Sequence, residues 1–144
     1  MKKLLFVLTF LTVSISSFSQ ELTEKQKERK NNKVEIFTSE ERDNLQRFYY
    51  DEVNKMGLSD KEREEYYEVL LYHVFEMARL NDKDKDFTEE EITVKFNALT
   101  DKMNAKMKAM LKPEQYVMHL ETFNKILYSV DRKNKMRKKE TKKN

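Results

Sequence analysis

The sequence predicts an all-α protein of about four amphipathic helices, arranged as antiparallel hairpins or a bundle. Three observations point there. The 144 residues contain one Gly and one Pro, which leaves little turn chemistry for a sheet-rich fold. Charged residues make up 38% of the chain, and a composition rich in Lys and Glu belongs to long surface helices. Beyond residue 38, apolar residues recur at spacings of three and four, the period of a helix with one buried face.

The first 19 residues stand apart. Met1-Lys2-Lys3 is a short positive start, and Leu4 to Val13 is an uncharged apolar run broken only by Thr9 and Thr12. Ser17 and Ser19 occupy the −3 and −1 positions of a small-residue cleavage site before Gln20. That pattern is a signal peptide. The run is too short to cross a bilayer, which takes about 20 apolar residues. No cysteine follows it to carry a lipid. The mature chain is therefore expected in the periplasm, or secreted, after cleavage near Ser19-Gln20.

Residues 20–38 form a polar N-terminal segment, frayed over 20–33, with Val34, Ile36 and Phe37 able to pack onto the body. The helical domain spans 39–131. Its first helix runs from Ser39 to about Met56, with Leu45, Phe48, Tyr49, Val53 and Met56 on one stripe. Thr38 and Glu41 make a capping box, and Gly57 can end the helix in a left-handed conformation. Ser59 and Glu62 box the second helix, which continues to about Leu80 through Tyr66, Tyr67, Leu70, Leu71, Val74, Phe75, Met77 and Ala78. So wide an apolar face predicts more than one neighbour. Asn81 to Asp86 is a charged break. Thr88 and Glu91 open a third helix that reaches about Leu111 and carries Ile92, Phe96, Leu99, Met103, Met107 and Met110. Pro113 suits the first turn of a fourth, where Tyr116, Leu120, Phe123, Leu127 and Val130 step like a coiled-coil seam. That seam is expected either inside the chain or in a flat dimer.

The formal charge of +3 conceals an asymmetry. Residues 20–131 hold 19 Lys and Arg against 25 Asp and Glu, a net of −6. Residues 132–144 hold 8 basic residues against Glu140, a net of +7, and are expected to be a basic disordered tail. Peripheral contact with an anionic membrane surface is one use for it. Nucleic acid is not an expected partner, because an exported chain leaves it behind and the tail has no aromatic residue for base stacking.

Sites of chemistry are scarce. With no cysteine, thiolate zinc and cysteine catalysis are excluded. Asp82-Lys-Asp84-Lys-Asp86 has the spacing of a calcium loop's start, but Phe87 and Thr93 stand where an EF-hand needs Gly and Glu. His73 and His119 lie in different helices, without a second histidine at ligand spacing. The carboxylates sit on polar faces beside Lys and Arg, with no pocket to separate their pKa values. No catalytic residue, metal or cofactor is expected, and the chain is not read as an enzyme. Met103, Met107 and Met110 form a stripe that either fills the core or, exposed, makes an adaptable binding surface.

Three segments share a pattern: Leu22-Thr23-Glu-Lys-Gln26, Leu58-Ser59-Asp-Lys-Glu62 and Leu111-Lys-Pro-Glu-Gln115. The polar second residue caps a helix, the leucine staples onto the first turn, and the Gln or Glu three residues on returns a hydrogen bond. The pattern resembles the LTxxQ motif of the Spy/CpxP-like periplasmic proteins. The second copy has Ser59 for Thr and Glu62 for Gln; the third has Lys112 for Thr. The resemblance implies an ATP-independent chaperone or envelope-stress adaptor, a homodimer that holds unfolded or partner polypeptides on a concave face through positive charge and apolar residues. Met103, Lys106, Met107, Lys108, Met110 and Tyr116 are the client-binding candidates on this reading. The alternatives are a structural adaptor with one dedicated envelope partner, or a binder of anionic surfaces through the tail.

Overall fold

In the computed structural model, residues 23–141 are described, the last five by their backbone alone. The expected signal peptide and cleavage site, Leu22 and residues 142–144 lie outside them. The described chain is helical throughout, with helices α1 (Glu24–Asn32), α2 (Ser39–Lys55), α3 (Asp60–Ala78), α4 (Glu89–Met110) and α5 (Pro113–Thr141), and a 3-10 turn Arg79–Asn81 after α3. Residues up to Asn31 form one compact unit and Asn32 onward another.

The expectation of a frayed segment over 20–33 is corrected by α1. Its start is closed reciprocally: the Thr23 N–H donates to Gln26 Oε1 at 2.9 Å and the Gln26 N–H donates to Thr23 Oγ1 at 3.3 Å. A Glu24–Lys27 pair supports the first turn. None of its residues is buried, so capping rather than packing defines it.

In the second unit the capping boxes Thr38–Glu41, Ser59–Glu62 and Thr88–Glu91 are all formed, each with both bonds present. They fix where α2, α3 and α4 begin, by satisfying backbone donors that a helix start leaves without partners. Each acidic partner is held below the usual carboxylate range by the bonds it accepts from its cap, and at Glu41 more strongly by Lys133. Gly57 has φ +65° and turns the chain from α2 into α3.

Helix α3 packs mainly on α4, while α5 packs on both α4 and α2. The core joins Val53 and Met56 of α2, Leu58 of the turn, Tyr66, Leu70 and Met77 of α3, Met103 and Met107 of α4, and Leu111 and Phe123. Tyr116 and Leu127 pack against this cluster and Phe123 is within it, so those seam positions of α5 find partners in this chain.

A further expectation is corrected. The last helix does not stop near 131 but continues to Thr141. The Lys133 ammonium donates to Glu41 at the start of α2, and Lys135 pairs with Asp131 one turn back; these contacts give part of the basic stretch a reason to stay helical. Helix α3 meets more than one neighbour, as its wide face predicts, with Tyr66 bonded to Tyr49 of α2 and to His119 of α5, but it buries only part of that face. Tyr66, Leu70, His73 and Met77 go inward, whereas Leu71, Tyr72, Val74 and Phe75 face solvent.

Core truncation and backbone strain should separate cleanly. Met103→Ala empties a site with 0% exposure and is expected to cost about 2–5 kcal/mol. Gly57→Ala meets nothing within 4 Å, so it should cost only the strain of a left-handed alanine, about 1 kcal/mol. Urea midpoints of the two variants check the order.

Candidate functional site

The outer face of α3 is the principal surface feature. Leu71, Phe75 and Ala78 repeat at i, i+4 and i+7 and are exposed, with Tyr72 and Val74 beside them. Leu71 is 62% and Tyr72 60% exposed. The helix turns about 100° per residue, so this stripe lies opposite the buried one. Cations flank it: Lys106 of α4 sits over the Tyr72 ring at 5.9 Å, and Arg79 over Phe75 at 6.0 Å. Val94 of α4 and Val117 and Tyr128 of α5 are also exposed.

The expected binding residues are placed differently. Met103 and Met107 are fully buried, and Met110 and Tyr116 pack against the core. An exposed methionine surface is thereby corrected: thioethers on α4 fill the space against α3 and α5. Lys106 does reach the exposed face, at Tyr72. Lys108 is exposed but two residues on, about 200° around the helix, and is not brought to it. The signal for this exposed face was the surplus of apolar residues on α3, more than one helix side can bury.

The second and third motif copies meet at one end of the unit. Leu58 and Leu111 are buried in the same cluster. The Lys112 N–H donates to Gln115 Oε1 at 3.0 Å, and Gln115 Nε2 donates to the Met56 carbonyl at 3.1 Å. Gln115 is 8% exposed; it supplies half a capping box to α5 and satisfies the end of α2. Lys112, standing where the pattern has Thr, lowers the Glu62 pKa at the neighbouring turn.

Inside the unit runs a line of polar contacts. Tyr49 and Tyr66 hydroxyls are 2.9 Å apart, Tyr66 lies 2.9 Å from His119 Nδ1, and His119 Nε2 lies 3.2 Å from Asn104 Oδ1. The amide oxygen only accepts, so Nε2 carries the proton and Nδ1 accepts from Tyr66. The Tyr66 oxygen then accepts from Tyr49. Burial pushes the Tyr49 phenol up to about 12 and lowers His119 to about 4, so both are neutral at pH 7. Tyr66 and His119 are fully buried, so the line joins the helices from inside the core. His73 points its Nδ1–H at the Val69 carbonyl, 2.7 Å away. Among the described residues no three His, Cys, Asp or Glu gather to hold a metal, and no helix is long and apolar enough to cross a membrane.

His119 makes stability depend on pH. The unfolded chain binds its proton near 6.5 and the folded chain only near 4, so stability is full above 6.5 and lost as pH falls toward 4. The loss is on the order of 3 kcal/mol. Urea unfolding at neutral pH and near pH 4 should show it, and His119→Gln should flatten that part of the slope. Glu41, Glu62 and Glu91, whose pKa values are lowered in the fold, add a further loss at lower pH.

Compared with known protein families, with curated proteins and with solved structures, the chain matches none.

Proposed function

We propose that the chain is exported after cleavage near Ser19 and works in the cell envelope as an ATP-independent polypeptide-binding protein, a chaperone or stress adaptor. One observation carries the reading: α3 leaves Leu71, Tyr72, Val74 and Phe75 exposed together, although its other face is already committed to the core. A soluble chain gains nothing in folding from apolar groups in water, and clustered ones of this kind mark contact surfaces. Aromatic side chains offer much contact area at little entropic cost. The cations beside Tyr72 and Phe75 suit the mixed charge of unfolded segments. Reciprocal caps at Thr23–Gln26 and Ser59–Glu62, and a half cap at Lys112–Gln115, support the resemblance to LTxxQ proteins at the level of local chemistry.

The mature chain should slow aggregation of a denatured client without ATP. Leu71→Asp with Phe75→Asp should abolish that effect while leaving the helical circular dichroism signal and urea midpoint close to those of the parent, since exposed substitutions change stability by about 0.5 kcal/mol or less. Unchanged protection in the double variant would remove α3 as the binding face. Stoichiometric capture of one partner, with no protection of a general client, would favour the dedicated-adaptor reading.

A further inference from the structure

A concavity next to the outer face of α3 lies where α3 ends and α4 begins, with a volume of about 370 Å³. Leu80, Phe87, Ala98 and Leu99 give it an apolar body; Arg79, Lys85, Lys95 and Lys102 give it cations, against the single carboxylate of Glu76. The sequence explains the convergence. Lys95, Leu99 and Lys102 fall on one face of α4 at spacings of four and three, and they face Glu76 near the end of α3 with Arg79 and Leu80 of the 3-10 turn. The loop between them folds back to bring in Lys85 and Phe87.

Charge there is unbalanced. Arg79 is neutralised by the nearly buried Asp82, 3.1 Å away. Lys85, Lys95 and Lys102 take part in none of the ion pairs within 4 Å among the described residues. Lys95 instead lies 4.6 Å from the centre of the Phe87 ring, with Glu91 one turn back feeling its charge. The three lysines are exposed at the edge of an apolar wall, and an anion among them supplies the opposite charge that no ion pair gives them. The size is at the lower end of small-ligand pockets, about 300–1,000 Å³.

We propose that this pocket binds a small anionic amphiphile: a carboxylate, phosphate or sulfonate head among Lys85, Lys95 and Lys102, with its apolar body against Phe87, Leu80 and Leu99. The head needs the lysines and the body needs the ring, so neither a simple salt nor a neutral apolar compound is a good occupant. This site does not depend on the outer face of α3 and survives if that face binds nothing.

The protein has no Trp, which leaves the wavelengths of naphthalene dyes clear. The test is a fluorescence titration of the full mature chain with 8-anilinonaphthalene-1-sulfonate, paired with N-phenyl-1-naphthylamine, the same skeleton without the sulfonate. The anionic dye is expected to saturate at one site and to bind at least about tenfold more tightly than the neutral one. Lys95→Glu with Lys102→Glu should weaken the anionic dye about tenfold and leave the neutral dye unchanged. Phe87→Ala should weaken both, and Leu71→Asp should weaken neither. Competition by dodecanoate and by dodecyl phosphate separates a carboxylate from a phosphate head. Equal binding of the two dyes, an anionic-dye affinity indifferent to the double charge reversal, or loss of binding only in Leu71→Asp would overturn the proposal.

Discussion

The second unit is organised around a polar line that four helices must share. Tyr49 of α2, Tyr66 of α3, Asn104 of α4 and His119 of α5 each supply one member, and no two come from the same helix. Tyr66 and His119 are wholly removed from water, so a mispaired hydroxyl or ring nitrogen there costs about 1–3 kcal/mol. An apolar core of methionines tolerates sliding, because Met adapts to many shapes. The hydrogen-bonded line does not, because its donors and acceptors match in one register alone. Aromatic contacts keep it in place: Tyr66 meets His119 edge-on, and Tyr116 and Phe123 stack on its two sides at 6.1 and 6.0 Å.

Much of the architecture was legible in the sequence because the helix starts are written in short-range chemistry. Thr38–Glu41, Ser59–Glu62 and Thr88–Glu91 each fix a boundary within four residues, and Gly57 and Pro113 fix two turns. The end of α5 was not legible. Its support comes from Glu41, some ninety residues earlier, and nothing local to Lys133 announces it. The helix at Glu24–Asn32 was missed for the opposite reason: the cap was visible at Thr23 and Gln26, but the absence of an apolar face argued against a helix.

The candidate surface was half legible. That α3 carries too many apolar residues for one face is plain from its composition; which of them would be left outside depends on α4 and α5 occupying the other side. The methionine stripe shows the same limit. Period and polarity place Met103 and Met107 on one face of α4, yet only the helices opposite decide that this face is inward. The polar partners of His119 come from sequence positions 15 and 53 residues away, a separation no motif records.

Gln115 ties the start of α5 to the end of α2. Its oxygen serves the start of its own helix while its amide nitrogen closes the end of α2 across the fold. The turn after α2 and the turn before α5 are consequently not independent. Lengthening the Met56–Ser59 turn by a single residue moves the carbonyl that Gln115 grips, and a shift at Lys112–Pro113 withdraws the grip itself, so drift in one corner of the chain has to be answered by drift in the other.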